Sequence, residues 1–291
     1  MRKRLNFLQI NVKDLDACVA NNFKSLCLSY LFFPILLLLL IVVFLFINDA
    51  FSFEAYAQMQ KELFIYLNDQ LSAFPIWQIN LTQLGDVAIF LPFLTLFVVY
   101  APKFWESLLT SLLVSSILTN LLKRIFAVPR PAAMFDNTSF VIIGDTLTGN
   151  TSLPSGHSIA TFTILTSLFF GFMPKKLNQK ILWFLFIFTV GLFIVFSRVG
   201  VGAHYPIDVI IGSIIGYLSS IIGIFINNKF NMWRWMTNKK YYLITLAILS
   251  ICWASLINKI VTTHLLIYYF SLASLAISIF IITRIYVKKR V

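Results

Sequence analysis

Long apolar runs alternate with short basic segments along this chain. Eight of the runs are about as long as a helix needs to be to cross the hydrocarbon core of a bilayer. They cover residues 26–47, 82–101, 104–122, 157–173, 181–198, 205–226, 241–258 and 264–283. Asp86 and Pro92 interrupt the second run, and the third contains Glu106. The pattern predicts an all-α integral membrane protein, and we expect the first run to remain as a span because no small-residue cleavage site follows it.

A further stretch, Ser52 to Phe74, has helical periodicity outside the predicted spans. Its large apolar side chains fall largely on one stripe, and its charged and amide side chains lie mostly elsewhere. The apolar positions are Phe53, Tyr56, Leu63, Phe64, Leu67, Leu71 and Phe74. Such a helix either lies flat in the outer membrane interface or packs on the neighbouring spans, and the sequence leaves both arrangements open.

The composition excludes several other classes of protein. Hydrophobic residues make up 59% of the 291 residues, charged residues make up 12%, and the mean hydropathy is +0.86. This balance excludes a disordered chain, a disulfide scaffold and a soluble Rossmann-type enzyme. Cys18, Cys27 and Cys252 form neither a C-x-x-C pair nor a metal-binding spacing.

The net charge of +12 would suit a protein that binds nucleic acid, but the distribution of the charges argues against that partner. When the N-terminus is placed in the cytoplasm, 17 of the 23 Lys and Arg residues fall on the cytoplasmic side of the predicted spans. The positive-inside rule favours this orientation, with both termini inside. We therefore expect the lipid bilayer as a partner and no nucleic acid.

Four of the six remaining cations fall in two places on the sparse side: Lys123, Arg124, Arg130 and Arg198. Membrane topology does not explain them, because the charge bias disfavours cations there. A single cation of this kind can lie among lipid headgroups, but ionisable residues at span ends are also typical of functional sites.

His157 and His204 open two spans on the same side. Asp208 follows His204 by four residues, so one helical face can hold both side chains and the carboxylate can orient the imidazole.

The segments around these residues are suited to an anion. Ser155 and Gly156, which precede His157, place a hydroxyl and backbone N–H groups where a helix begins. Gly200 and Gly202 allow a tight turn between Arg198 and His204. Many donors and cations without an acidic cluster indicate a site for phosphate.

Three blocks of sequence now carry a resemblance to a known family. They are Lys123 followed after six residues by Arg130-Pro131, then Pro154-Ser155-Gly156-His157, then Ser197-Arg198 followed after five residues by His204 and after three more by Asp208. In order and internal spacing they resemble the signature of the type 2 phosphatidic acid phosphatase family, which is related to vanadium haloperoxidases. The resemblance implies an all-α bundle whose active site lies near the outer membrane surface.

The resemblance also implies a division of the chain. We expect a cytoplasmic leader at 1–25, a six-span membrane phosphatase core at 26–226 and a C-terminal two-span extension at 227–291. The extension goes beyond the six-span core of the family. It either recognises a lipid or a partner protein, or packs against the core.

The chemistry and the resemblance imply the same roles for the matched residues. The phosphate is expected to be held by Lys123, Arg130, Ser155, Gly156 and Arg198. His204 is the expected nucleophile, Asp208 orients it, and His157 protonates the leaving oxygen and later serves as base for water. Because Asp208 is the one carboxylate in the three blocks, we expect no metal and no cofactor.

The expected function is therefore a lipid phosphatase that acts on a phosphate or pyrophosphate ester through a phosphohistidine intermediate. Candidate substrates are undecaprenyl pyrophosphate, phosphatidylglycerol phosphate, phosphatidic acid and the phosphate of lipid A. A lipid phosphotransferase would need the same residues, and a non-catalytic transporter of lipid phosphates is a third hypothesis for the function. The outer site and long connecting segments favour a bacterial inner membrane with the site facing the periplasm. The oligomeric state stays open.

Overall fold

The computed structural model describes residues 12–237 and 239–287, and the regular structure within them is helical. Of the expected leader, residues 1–11 lie outside the described part. The first half contains α1 (Val12–Lys24), α2 (Phe32–Ile47), α3 (Phe53–Ser72), α4 (Pro75–Gln83), α5 (Val87–Phe90), α6 (Phe97–Tyr100) and α7 (Pro102–Phe126). The second half contains α8 (Pro131–Met134), α9 (Gly156–Gly171), α10 (Leu177–Gly200), α11 (Pro206–Phe230), α12 (Tyr242–Thr263) and α13 (Leu266–Val287). Short 3-10 turns cover Leu28–Leu31, Leu91–Leu94, Arg234–Thr237 and Lys239–Tyr241.

Within the described residues, six helical stretches are long and apolar enough to cross a membrane. They are Leu28–Ile47, Pro102–Met134, Leu177–Gly200, Pro206–Phe230, Tyr242–Thr263 and Leu266–Ile285. Each coincides with one of the eight apolar runs in the sequence. The all-α integral membrane class is therefore confirmed, whereas the division into a six-span core and a two-span extension stays a prediction.

The apolar run at 82–101 is not the continuous helix that the sequence predicted. It passes through the end of α4, then α5, the 3-10 turn Leu91–Leu94 and α6. Asp86 stops the first helix and begins the next, since its Oδ1 accepts a hydrogen bond of 2.9 Å from the backbone N–H of Ala88. Pro92 has no N–H to continue an α-helical ladder. The segment is nevertheless well packed, with Ile89 fully buried.

The run at 157–173 forms α9, which has 16 residues and lies at the centre of the bundle. Its contacts are mainly with α7, α10 and α11. Small side chains let the helices approach closely, because a Cβ on Gly212 would lie 2.7 Å from the carbonyl oxygen of Ser155. Polar contacts join the same helices, as Ser167 and Ser220 share a 2.9 Å hydrogen bond. The helix that carries the second sequence block is thus held rigidly on several sides.

The amphipathic stretch forms α3, and its side chains favour packing on the neighbouring helices. Tyr56, Phe64 and Asn68 are buried. The Asn68 amide donates to the backbone oxygens of Val199 and Gly200, at 3.0 and 3.2 Å. These bonds fix α3 at the end of α10, which is the end that carries the third sequence block, from Ser197 to Asp208.

The described part of the leader packs at the opposite end of the bundle. Asn22 in α1 donates to the backbone oxygen of Gly171 at 3.0 Å, where α9 ends. Asp16 accepts from the backbone N–H of Lys103, at the start of α7, at 2.7 Å. Phe23 is only 1% exposed. This packing was not predicted from the sequence, because the apolar contacts of α1 come from distant segments.

Candidate active site

The site forms where several helices begin or end at the same end of the bundle. The last turns of α7 and α10 carry Lys123 and Arg198, the first turns of α9 and α11 carry His157 and Asp208, and connecting loops carry Arg130 and His204. Arg130, Arg198, His204 and Asp208 are all at most 9% exposed. Residues that lie up to 85 positions apart along the chain therefore meet in one buried cluster.

His204 and Asp208 form the centre of the cluster. The Nδ1 atom of His204 lies 3.4 Å from Oδ2 of Asp208, with both side chains almost completely buried. The other ring nitrogen, Nε2, lies 3.3 Å from a terminal guanidinium nitrogen of Arg130. An arginine can only donate, so Nε2 accepts here and the ring proton is assigned to Nδ1, which faces the carboxylate. This tautomer leaves a lone pair on Nε2.

Asp208 is held by three further donors. The hydroxyl of Tyr56 donates to Oδ1 at 2.7 Å, and the hydroxyl of Ser152 donates to Oδ2 at 2.6 Å. The backbone N–H of Tyr205 donates to Oδ2 at 3.0 Å. A buried carboxylate with this many donors has little freedom to rotate. The position of His204 is therefore set indirectly by α3 and by the loop that precedes α9.

Arg130 reaches the centre from the loop between α7 and α8. The guanidinium nitrogen that contacts His204 also donates to the backbone oxygen of Ala203 at 3.1 Å. Its Nε donates to the hydroxyl of Thr151 at 3.4 Å. The cation is thus fixed beside the imidazole by Ala203 and Thr151, which lie in two other loops.

Arg198 lies at the last turn of α10 and is 6% exposed. One of its terminal nitrogens donates to the hydroxyl of Thr82 in α4 at 2.5 Å. Its Nε has no hydrogen-bond partner within the described residues. A buried guanidinium with an unused donor is costly unless a further acceptor binds there. Arg198 therefore has a free donor for an anion.

Lys123 and the start of α9 face each other closely. A Cβ on Gly156 would lie 3.4 Å from Nζ of Lys123, so the absence of a side chain lets the ammonium group approach the helix terminus. Ser155 caps α9, since its hydroxyl oxygen accepts from the backbone N–H of Ser158 at 3.4 Å. Its own N–H donates to the backbone oxygen of Asp208 at 3.1 Å, which ties α9 to α11.

His157 packs against the turn between α4 and α5. A Cβ on Gly85 would lie 2.6 Å from Cβ of His157 and 2.7 Å from its ring. Only glycine fits this contact without a displacement of the imidazole. The interrupted run at 82–101, called the broken segment below, thus forms a wall of the site at Thr82 and Gly85.

The pKa of His204 is determined by burial and by the nearby cations. Desolvation, and then the positive charges of Arg130, Arg198 and Lys123, hold the pKa of His204 well below its usual range. The imidazole is therefore neutral at neutral pH. Burial and the Asp208 carboxylate raise the pKa of Tyr56 well above its ordinary value, so its hydroxyl remains a donor.

The structure thus brings every predicted site residue to one end of the bundle, and it adds four that the sequence analysis missed: Tyr56, Thr82, Gly85 and Ser152. Tyr56 lies on the apolar stripe recognised in α3, where a hydroxyl at an otherwise apolar position was the available signal. Ser152 precedes the second block by two residues. Thr82 and Gly85 carried no signal, because only the break in the apolar run brings them to the site. Arg124 is exposed and lies outside the cluster.

The donor set of the site favours an anion over a metal ion. No group of three or more His, Cys, Asp or Glu side chains with metal-binding geometry occurs within residues 12–237 and 239–287. Three cations surround a single carboxylate in the cluster, and their charges would repel a further cation. The same charges attract the oxygens of a phosphate.

One match to a known protein family contains all three sequence blocks. Residues 104–232 match the profile of the PAP2 superfamily. A bacitracin transport permease protein, BcrC, of Bacillus licheniformis is 38% identical over 72 residues, which is 24% of this chain and 30% of that protein. The match therefore spans less than a third of that relative's length. The crystal structure of Aquifex aeolicus LpxE has a TM-score of 0.46 and 28% identity, and the alignment covers 57% of this chain and 94% of that chain.

Proposed function

We propose, from the match of residues 104–232 to the PAP2 superfamily, that this chain hydrolyses the phosphate or pyrophosphate ester of a membrane lipid. The observation that carries the proposal is the neutral His204 between Asp208 and Arg130, with two further cations close by. A buried nucleophile among fixed positive charges is the arrangement that phosphoryl transfer from a dianion requires.

The first step is attack of Nε2 of His204 on phosphorus. Arg130, Arg198 and Lys123 neutralise the charge on the phosphoryl oxygens, which otherwise repels a nucleophile. Arg130 already contacts Nε2, so it can bind an oxygen of the phosphoryl group as the bond forms. Asp208 stabilises the imidazolium that develops. The negative charge of the bound phosphate favours a protonated His157, which gives its proton to the leaving oxygen, and the lipid alcohol or phosphate departs.

The second step restores the enzyme. His157, now neutral, takes a proton from a water molecule whose oxygen attacks the phosphohistidine. The bond between phosphorus and Nε2 breaks, inorganic phosphate is released, and both histidines return to their starting protonation states. Asp208 keeps the proton of His204 on Nδ1 throughout, so that Nε2 is free for the next cycle.

The membrane setting supports a lipid as the substrate. The helices that lead to the site expose large apolar side chains, among them Leu121 and Ile125 on α7 and Phe193 on α10. A cationic pocket at the ends of such helices suits a molecule with a phosphate head and apolar tails. The direct test is phosphate release by the purified protein in detergent from undecaprenyl pyrophosphate, phosphatidylglycerol phosphate, phosphatidic acid and lipid A. Transfer to an added alcohol without free phosphate would instead identify a phosphotransferase, and release from none would refute the proposal.

Chelation is expected to leave activity unchanged, and vanadate is expected to inhibit it. Vanadate can become five-coordinate and so imitate the in-line transition state that the three cations bind. Phosphate release is measured with EDTA, with EDTA followed by excess Mg²⁺, and with increasing vanadate. Complete loss of activity in EDTA that Mg²⁺ restores would contradict a metal-independent mechanism.

We also propose that the site faces away from the cytoplasm, since most of the positive charge lies at the other end of the bundle. The loop that contains Asn137 leaves and returns at the end where the site lies, and Asn178 lies near the start of α10, at the opposite end. Both side chains are exposed. A cysteine at 137 should therefore react with an impermeant maleimide in intact spheroplasts, and a cysteine at 178 should not.

Matched controls make the labelling decisive. Each cysteine is placed in a background in which Cys18, Cys27 and Cys252 are replaced by serine, and permeabilised spheroplasts show that both positions can react. Reaction at 178 with protection at 137 in intact spheroplasts would reverse the proposed orientation.

A further inference from the structure

The broken segment, residues 82–101, contacts the site on one side and the C-terminal hairpin, α12 and α13, on the other. On the site side, Thr82 accepts from Arg198 and Gly85 packs against His157. On the other side, the segment contacts α13 along α4, α5 and the 3-10 turn. Its own helices are too short to fix their position by themselves, because α5 and α6 have four residues each.

Side chains of α13 bind the backbone where the segment departs from a regular helix. The Ser271 hydroxyl donates to the backbone oxygen of Ile89 at 2.9 Å, and the Ser274 hydroxyl donates to that of Pro92 at 3.3 Å. In an apolar surrounding, a broken helix must satisfy its backbone groups within the protein. The Ser271 hydroxyl does so for the Ile89 oxygen, and the Ser274 hydroxyl adds a second donor to the Pro92 oxygen, which also accepts from Thr95.

Further bonds extend the same contact in both directions. The hydroxyl of Thr95 donates to that of Ser278 at 2.6 Å, and the Asn80 side chain accepts from the backbone N–H of Ile267 at 3.1 Å. The α13 positions 267, 271, 274 and 278 recur at intervals of four, three and four, so they form one helical face. That whole face is turned toward residues 80–95.

A salt bridge at the site end of the hairpin contributes less to this contact than the hydrogen bonds of α13 do. Lys259 lies 3.1 Å from Asp86, but both side chains are about a third exposed, at 34% and 30%. Solvent screens such a pair, so we assign the larger effect to the buried hydroxyl groups. Ser271 and Ser278 are fully buried.

From these contacts we infer that the C-terminal hairpin positions the catalytic site: Ser271 and Ser274 hold residues 82–92 in place, and that segment in turn fixes Arg198 through Thr82 and His157 through Gly85. The serines touch no reacting atom and act as positioning residues. The inference rests on the proposed hydrolase function and gives the extension a role in it. Since His157 supplies the proton of the leaving group, its displacement should harm poor leaving groups most.

The test compares Ser271→Ala/Ser274→Ala with Thr262→Val, whose parent hydroxyl is exposed on the same hairpin and bonds only its own helix. Two probes are used: dodecyl phosphate, whose alkoxide needs a proton, and p-nitrophenyl phosphate, whose phenolate does not. In the serine variant we expect kcat/KM, which reports the steps up to loss of the leaving group, to fall about tenfold for dodecyl phosphate and less than about threefold for p-nitrophenyl phosphate. Thr262→Val should match the parent protein.

Hydrogen–deuterium exchange of peptides from 80–95 is measured on the same samples and does not depend on turnover. We expect faster exchange there in the serine variant alone. Unchanged exchange overturns the inference, as does faster exchange with control-like turnover or an equal loss on both probes. A parent protein that cleaves neither these probes nor any of the four lipids refutes the proposed function instead, and the exchange result still decides whether the serines hold the segment.

Discussion

Replacement of His204 by alanine is expected to reduce phosphate release by about a thousandfold or more while the protein remains folded in the membrane. The imidazole is the proposed covalent acceptor, and Asp208 and Arg130, which flank it, cannot take over that role. The measurement is phosphate release per mole of purified, monodisperse protein, together with the thermal unfolding midpoint in detergent. More than about a tenth of normal release from folded protein would contradict the nucleophile assignment.

The control for this variant is a histidine elsewhere in the chain. His264 lies in the turn between α12 and α13, is exposed, and has a φ of +50°. His264→Asn suits that backbone conformation, because asparagine adopts the left-handed region more readily than most residues. It should retain full activity. Since alanine leaves a gap at the buried position 204, His204→Asn serves as a second inactive variant that keeps a polar side chain there.

Replacement of Arg130 by alanine is expected to lower kcat by about a hundredfold or more. The side chain is buried and contacts the imidazole nitrogen that attacks phosphorus, so its charge acts where the transition state forms. Arg124 provides a matched control from the same region, because it is exposed and lies outside the cluster. Arg124→Ala should remain within about twofold of the parent protein, and kcat and KM for both variants are measured on the same lipid substrate.

Arg130→Lys separates charge from geometry in the same experiment. Lysine keeps the positive charge, but it lacks the planar guanidinium group, one terminal nitrogen of which contacts both Ala203 and His204. We expect an activity between those of the parent and the alanine variant. Equal loss in Arg124→Ala and Arg130→Ala would show that the two cations act only through general charge, and would contradict the proposed role of Arg130.

The membrane class and most of the helices could be predicted from the sequence because hydrophobic length is a local property. The run at 181–198 lies within α10, and that at 205–226 largely within α11. Prediction failed at 82–101, where the break depends on Asp86 as a helix cap and on partners supplied by a distant helix. Hydropathy averaged over a window does not register either effect. The boundaries of the leader, the core and the extension stay predictions.

The sequence by itself determined which residues could form a phosphate site. Two histidines, one carboxylate and three motif cations at fixed spacings are a chemical pattern, and spacing within a helix or tight turn is set by local geometry. Only the tertiary structure decided what supports them. Tyr56 and Ser152 bind Asp208 from segments 152 and 56 residues away, and Thr82 binds Arg198 from 116 residues away. Such contacts depend on how the helices pack together, so a local pattern of residue types does not reveal them.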